Sequence, residues 1–110
     1  MYATEFVQSY IDAWNHSDAK GVAEHLATNG TYYDIPTHSQ FSKNELVSNL
    51  VDFFASGDHH YQLCNEVLSN DRTIAFQYKM TSPNNSRQDW LGAEFIPVSY
   101  THLRAHETTR

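Results

Sequence analysis

The sequence predicts an α+β domain in which three helices from the N-terminal half pack on one face of a curved antiparallel sheet. Three observations lead to that class. Before Gly57 the apolar residues recur mostly at three- and four-residue spacing, the period of a helix with one buried stripe. After Gly57 the period becomes two, the period of a strand with one buried face. Helices are grouped first and strands are grouped after them, a pattern that segregates helices to one side of an antiparallel sheet. The 110 residues suffice for one domain with a single core.

The elements follow in order. Phe6, Val7, Tyr10, Ile11 and Trp14 mark the apolar stripe of a first helix. It stops near Asn15-His16-Ser17-Asp18, where Ser17 or Asp18 can cap a second helix. That helix runs over about Ala19 to Leu26, buries Val22 and Leu26, and ends at Asn29-Gly30, a left-handed stop signal. Thr31 to Pro36 reads as a short strand, rich in aromatic residues and closed by proline. Ser42-Lys43-Asn44-Glu45 is a capping box that opens a third helix, with Leu46, Val47, Leu50, Val51 and Phe54 as its stripe and an end near Gly57. Two strands, His59–Ser69 and Arg72–Ser82, are joined by a hairpin turn at Ser69-Asn70-Asp71. A loop at Ser82–Arg87 leads to a last strand over Gln88–Ile96.

Composition narrows the function. Seven Lys and Arg against thirteen Asp and Glu give a formal net charge of −6, and the basic residues do not cluster, which argues against nucleic acid as a partner. The N-terminus lacks a basic segment followed by an apolar run, so no signal peptide is evident. No stretch reaches the roughly 20 apolar residues that cross a bilayer. The lone Cys64 cannot form an internal disulfide, which fits a cytoplasmic location, and no basic neighbour activates it. Asn84-Asn85-Ser86 matches a glycosylation sequon and reads as a polar turn. Neither a phosphate-binding glycine loop nor a serine nucleophile elbow is present, and no cofactor is implied.

The element order, with "YIDAWNHSD" in the first helix and "YYDIPTHSQFSKNELV" before the third, resembles the SnoaL-like branch of the nuclear-transport-factor-2-like superfamily. The resemblance covers Met1–Ile96. It implies a cone, a bent sheet wrapped around a cavity and roofed by helices, and a homodimer paired through the outer sheet face, where Gln62, Cys64, Gln77 or Lys79 would sit. It also implies a further strand after Ile96. Here, read as codons, Val98–Thr108 resembles the mosaic end and read-through of a transposase-type sequencing adapter. The expectation is therefore a domain over residues 1–96 truncated before its last native strand, and a non-native tail over 97–110.

Asp34 is the leading candidate for chemistry. Alternation puts Tyr32 and Asp34 on one face of the short strand; pointing inward, a carboxylate and a phenol would share an apolar cavity, where desolvation suits an acid–base group. The alternative is an Asp that fixes the turn before Pro36. "Y-x-D-I-P" also looks like the "Y-x-N-x-P" of limonene-epoxide-hydrolase-like members, which carry an arginine and an aspartate on the next inward-facing positions. This chain offers Tyr78 and Met80 instead, so epoxide hydrolysis is set aside. Ile74, Phe76, Tyr78 and Met80 should face the core or cavity, and Trp90, Gly92 and Glu94 should share a face. Adjacent His59 and His60 point to opposite faces and make no metal site; His60 is taken as a second proton carrier. The candidate catalytic residues are thus Asp34, Tyr32 and His60, and the candidate ligand contacts Trp14, Phe54, Tyr78, Met80, Trp90 and Glu94. Two functions follow: proton transfer on a small hydrophobic carbonyl compound (isomerisation, dehydration or aldol-type cyclisation), or a non-catalytic ligand-binding or dimerisation domain.

Overall fold

A computed structural model describes the backbone of residues 2–26, 31–34 and 39–97, and the side chains of 3–26 and 39–97. The elements run α1 (Tyr2–Asn15), α2 (Ala19–Glu24), β1 (Thr31–Asp34), β2 (Ser39–Ser42), α3 (Lys43–Ala55), β3 (His60–Ser69), β4 (Thr73–Thr81) and β5 (Trp90–Pro97). β1 and β2 form an antiparallel ribbon, and β3, β4 and β5 form an antiparallel sheet in sequence order. The α+β class and the grouping of helices before strands are as the sequence predicts. Among the described residues, no helix is long and apolar enough to cross a membrane.

α1 buries the predicted stripe, Phe6, Val7, Tyr10, Ile11 and Trp14, against β3 and α2. Its end is a Schellman motif. The Asp18 N–H reaches the Ala13 carbonyl at 2.9 Å and the Ser17 N–H reaches the Trp14 carbonyl at 3.1 Å, with Ser17 in the left-handed region at φ 55°. Asp18 then caps α2, its carboxylate accepting from the Gly21 N–H at 3.0 Å. α2 ends at Glu24, two residues before the sequence-read limit, while Asn29-Gly30 and Ile35-Pro36 lie outside the described residues.

The capping box forms as read: the Ser42 N–H donates to the Glu45 carboxylate at 2.9 Å and the Glu45 N–H to the Ser42 hydroxyl at 3.3 Å. The bond from the Ser42 amide holds the Glu45 carboxyl below its ordinary range. β2, pairing Gln40 with Tyr33 and Phe41 with Tyr32, is an element that the sequence did not announce. The stripe of α3 also differs from the reading. Leu46 and Leu50 are buried, but Val51 is 55% exposed and Phe53 packs in its place. Phe53 is drawn inward because the Arg87 guanidinium lies 3.9 Å from its ring centroid and bonds its carbonyl.

The sheet curls at β3. From Cys64, opposite Gln77, to Leu68, opposite Ala75, three residues (Asn65, Glu66, Val67) face the single residue Phe76. Asn65 turns through φ 60°, the conformation a bulge demands and Asn tolerates. Two extra residues leave the alternation in phase, so Leu63 before the bulge and Val67 after it both pack on the core. Asn70 closes the hairpin, its side-chain oxygen accepting from the Arg72 and Thr73 N–H groups at 2.8 and 2.9 Å.

Candidate functional site

The inner face of the three-stranded sheet carries an aromatic and acidic cluster. Ile74, Phe76 and Met80 are buried and Tyr78 is half-buried, all on one face of β4. Register sets Glu94 opposite Phe76, Gly92 opposite Tyr78 and Trp90 opposite Met80. Glu94 is half-buried, and its carboxylate accepts from the hydroxyl of the buried Tyr10 at 3.1 Å. Tyr10 stands edge-on to Phe76 at 6.0 Å and to Trp14 at 6.2 Å. A carboxylate is costly to withdraw from water without a donor, and the phenol of α1 supplies one.

Gly92 makes room for the second phenol. A Cβ there would collide with the ring and hydroxyl of Tyr78. Without it, Tyr78 lies across β5, and its oxygen accepts from the Trp90 indole at 3.4 Å. Tyr78 also packs on Tyr61 at 5.6 Å. Burial pushes the Tyr61 phenol above its ordinary pKa, with Tyr78 and Glu94 adding in the same direction and Arg87 opposing.

Polar bonds join the end of α1 to the start of β3. The Asn15 side chain donates to the Tyr61 carbonyl at 2.9 Å and accepts from the Tyr61 N–H at 2.6 Å, acting as a one-residue strand partner along the edge of β3. His59 Nε2 lies 2.9 Å from the Trp14 carbonyl and 3.3 Å from the Ser17 hydroxyl. A second polar knot holds the loop before β5. Asp58 accepts from the hydroxyls of Ser82 (2.6 Å) and Ser86 and from the Asn84 N–H (2.7 Å), which keeps its carboxyl far below the usual carboxylate range. Arg87 bonds the carbonyls of Phe53, Gly57 and Asp58.

Of the sequence-read ligand contacts, Trp14 and Met80 are buried, Phe54, Tyr78 and Glu94 are half-buried, and Trp90 is 39% exposed. Trp14 meets Phe54 at 5.7 Å and Tyr61 at 5.1 Å, so these residues form one continuous ring cluster. For Tyr32 and Asp34 the backbone is described, opposite Phe41 and Ser39, and their side chains lie outside the described set. His60 is exposed, on the face of β3 opposite Tyr61. Its neighbour His59 is the inward one, stacked on Phe54 at 4.9 Å. Sequence reasoning did not single out Tyr10, Asn15, Asp58 or Arg87. Only Tyr10 left a signal, as a polar-tipped residue in an otherwise apolar stripe. On the outer face, Gln62, Gln77 and Lys79 are exposed and Cys64 is half-exposed; Leu91 (77% exposed) and Phe95 (71%) add an apolar strip along β5.

No protein-family model and no curated protein sequence matches the chain. Solved structures do. A ketosteroid isomerase candidate from Kribbella flavida superposes with TM-score 0.70 at 17% identity, covering 90% of this chain and 70% of that one. A SnoaL-like family isomerase candidate from Agrobacterium tumefaciens gives 0.70 at 16% identity, covering 92% and 89%. An LEH-like epoxide hydrolase from M. tuberculosis gives 0.70 at 11% identity, covering 90% and 74%. These likenesses concern the backbone, and their titles name different chemistries. The chain therefore has the cone-like α+β fold of the SnoaL-like and NTF2-like proteins.

Proposed function

We propose that the inner face of the sheet binds a small hydrophobic carbonyl compound and moves a proton on it, by isomerisation, dehydration or aldol-type cyclisation. The observation that carries this reading is Glu94, a half-buried carboxylate among aromatic rings and held by the Tyr10 hydroxyl. Asp34, assisted by Tyr32, is the general base in this reading. β1 pairs through β2 to the start of α3, which brings that strand to the helical side of the fold. The exposed His60 sits on the other side of β3, so the second proton carrier is Glu94. Trp14, Phe54, Tyr78, Met80 and Trp90 supply flat apolar contacts for the ligand. The neighbours' titles, isomerase and epoxide hydrolase among them, are in keeping with a fold that hosts small-molecule chemistry.

The test is deuterium incorporation at the α-carbon of 2-indanone in D₂O, followed by proton NMR. The intact chain should exceed the buffer rate, and Asp34→Asn and Glu94→Gln should each cut the excess by about 10²–10⁴-fold, the usual contribution of a positioned acid or base. Exchange no faster than buffer, or unchanged in both variants, refutes the reading.

A second reading rests on the strip Leu91-Ala93-Phe95, whose outward apolar surface suits pairing with a second copy through the outer sheet face. It makes the chain a homodimer and a ligand-binding or association module. Light scattering should then give twice the chain mass, falling to one chain mass in Leu91→Lys/Phe95→Lys. A monomeric parent chain excludes it.

A further inference from the structure

Two buried polar atoms near the end of α1 have no hydrogen-bond partner among the described residues: Trp14 Nε1 and His59 Nδ1. One is a donor. The other is an acceptor, for the following reason. His59 Nε2 lies 2.9 Å from the Trp14 carbonyl, which can only accept, so Nε2 carries the ring proton and neutral Nδ1 presents a bare lone pair. Both rings pack on the same two neighbours. Trp14 is 5.7 Å from Phe54 and 5.1 Å from Tyr61; His59 is 4.9 Å from Phe54 and 5.6 Å from Tyr61.

A buried indole N–H left unmade is unfavourable, and such groups are rare in folded proteins. Here the orphaned donor sits on a side chain 9% exposed, and the fold spends several bonds to hold it in place. Asn15 clamps Tyr61, Ser17 and the Trp14 carbonyl hold His59, and Arg87 pins Phe53, which meets Trp14 at 6.2 Å. Through Tyr61 and Tyr78 the cluster is continuous with the Glu94 face.

We propose that this corner is the polar end of the ligand site and that it selects an aromatic α-hydroxyketone. The Trp14 indole donates to the carbonyl oxygen, His59 Nδ1 accepts from the hydroxyl, and the rings of Phe54 and Tyr61 flank the plane between. The inference rests on the reading of the inner face as a small-molecule site, and names the substrate class for it.

The experiment titrates the intact ¹⁵N-labelled chain with 2-hydroxyacetophenone and, separately, with acetophenone, which lacks the hydroxyl. Trp90→Phe leaves Trp14 as the one indole and identifies its cross-peak. The Trp14 indole proton should move downfield with both ketones. 2-Hydroxyacetophenone should bind about tenfold more tightly than acetophenone, and that ratio should collapse to about one in His59→Phe. The ratio is read within each folded protein, so a general loss of stability does not mimic it. An indole signal unmoved at saturation, a ratio unchanged in His59→Phe, or exchange between the indole and a trapped water that neither ketone displaces overturns the proposal. If Tyr78 and Met80 signals move while the indole does not, the inner-face reading survives and this inference falls. If no signal moves, both fall.

Discussion

Removing the Asn15 side chain should destabilise the fold out of proportion to its size. Asn15→Ala deletes one donor and one acceptor, both directed at the Tyr61 backbone, at 2.9 and 2.6 Å. Tyr61 is 6% exposed and lies on the outer strand of the three-stranded sheet, so its amide has no other strand on that side in the sheet order. Each bond contributes about 1 kcal/mol net, and a stranded buried amide group costs about 1–3 kcal/mol. We expect a loss of about 2 kcal/mol. For a domain of this size that lowers Tm by roughly 8–16 °C, taking about 4–8 °C per kcal/mol. Asn15→Asp is the sharper variant. It keeps the oxygen that accepts from the Tyr61 N–H but sets a second carboxylate oxygen against the Tyr61 carbonyl, so it should be at least as damaging as alanine. Urea unfolding followed by circular dichroism measures both. If Asn15→Ala falls within about 0.5 kcal/mol of the parent chain, an ordinary surface effect, the clamp does not hold α1 to β3.

Further outcomes follow from the same geometry. Ser17→Gly should stabilise by about 1 kcal/mol, because glycine relieves the left-handed backbone at φ 55°; a lower thermal midpoint would show that the Ser17 hydroxyl on His59 outweighs the strain. Asp58 is depressed in the folded state, so its contribution is complete above about pH 4 and is lost as pH falls further, whereas Asp58→Asn should flatten that acid limb in urea midpoints taken from pH 7 to pH 2.5. Tyr61 is raised in the folded state, so its contribution is complete below about pH 10 and is lost as pH climbs through the higher folded value; Tyr61→Phe should lessen the alkaline loss.

What the sequence disclosed was whatever is local and periodic. The stripe from Phe6 to Trp14, the Ser42–Glu45 capping box, the alternation of Ile74 to Met80 and the turn at Asn70 each depend on neighbours a few residues away, and each is present. The features that escaped depend on distant partners. β2 is a four-residue Ser-Gln-Phe-Ser segment that becomes a strand by pairing with β1. Val51 loses its place to Phe53 because Arg87, 34 positions away, stacks on that ring. Asn15 reads as a helix end until Tyr61 appears beside it.

The candidate site divides the same way. Glu94 was read from its register as inward and in need of a partner, and Tyr10, 84 positions away, is that partner. His60 was taken over His59 from a strand start whose phase only the burial of Tyr61 fixes. The α1 motif Trp14-Asn15 followed by Asp18 thus has three local jobs: a ring on the aromatic cluster, a clamp on β3 and a cap on α2.

The central claim is that small molecules lodge on the concave side of β4, not on its outer surface. Intermolecular nuclear Overhauser effects between 2-indanone and the intact chain test it most directly. Contacts from the ketone to the Met80 methyl group and the Tyr78 ring are the predicted result; contacts confined to Leu91 and Phe95 would contradict it.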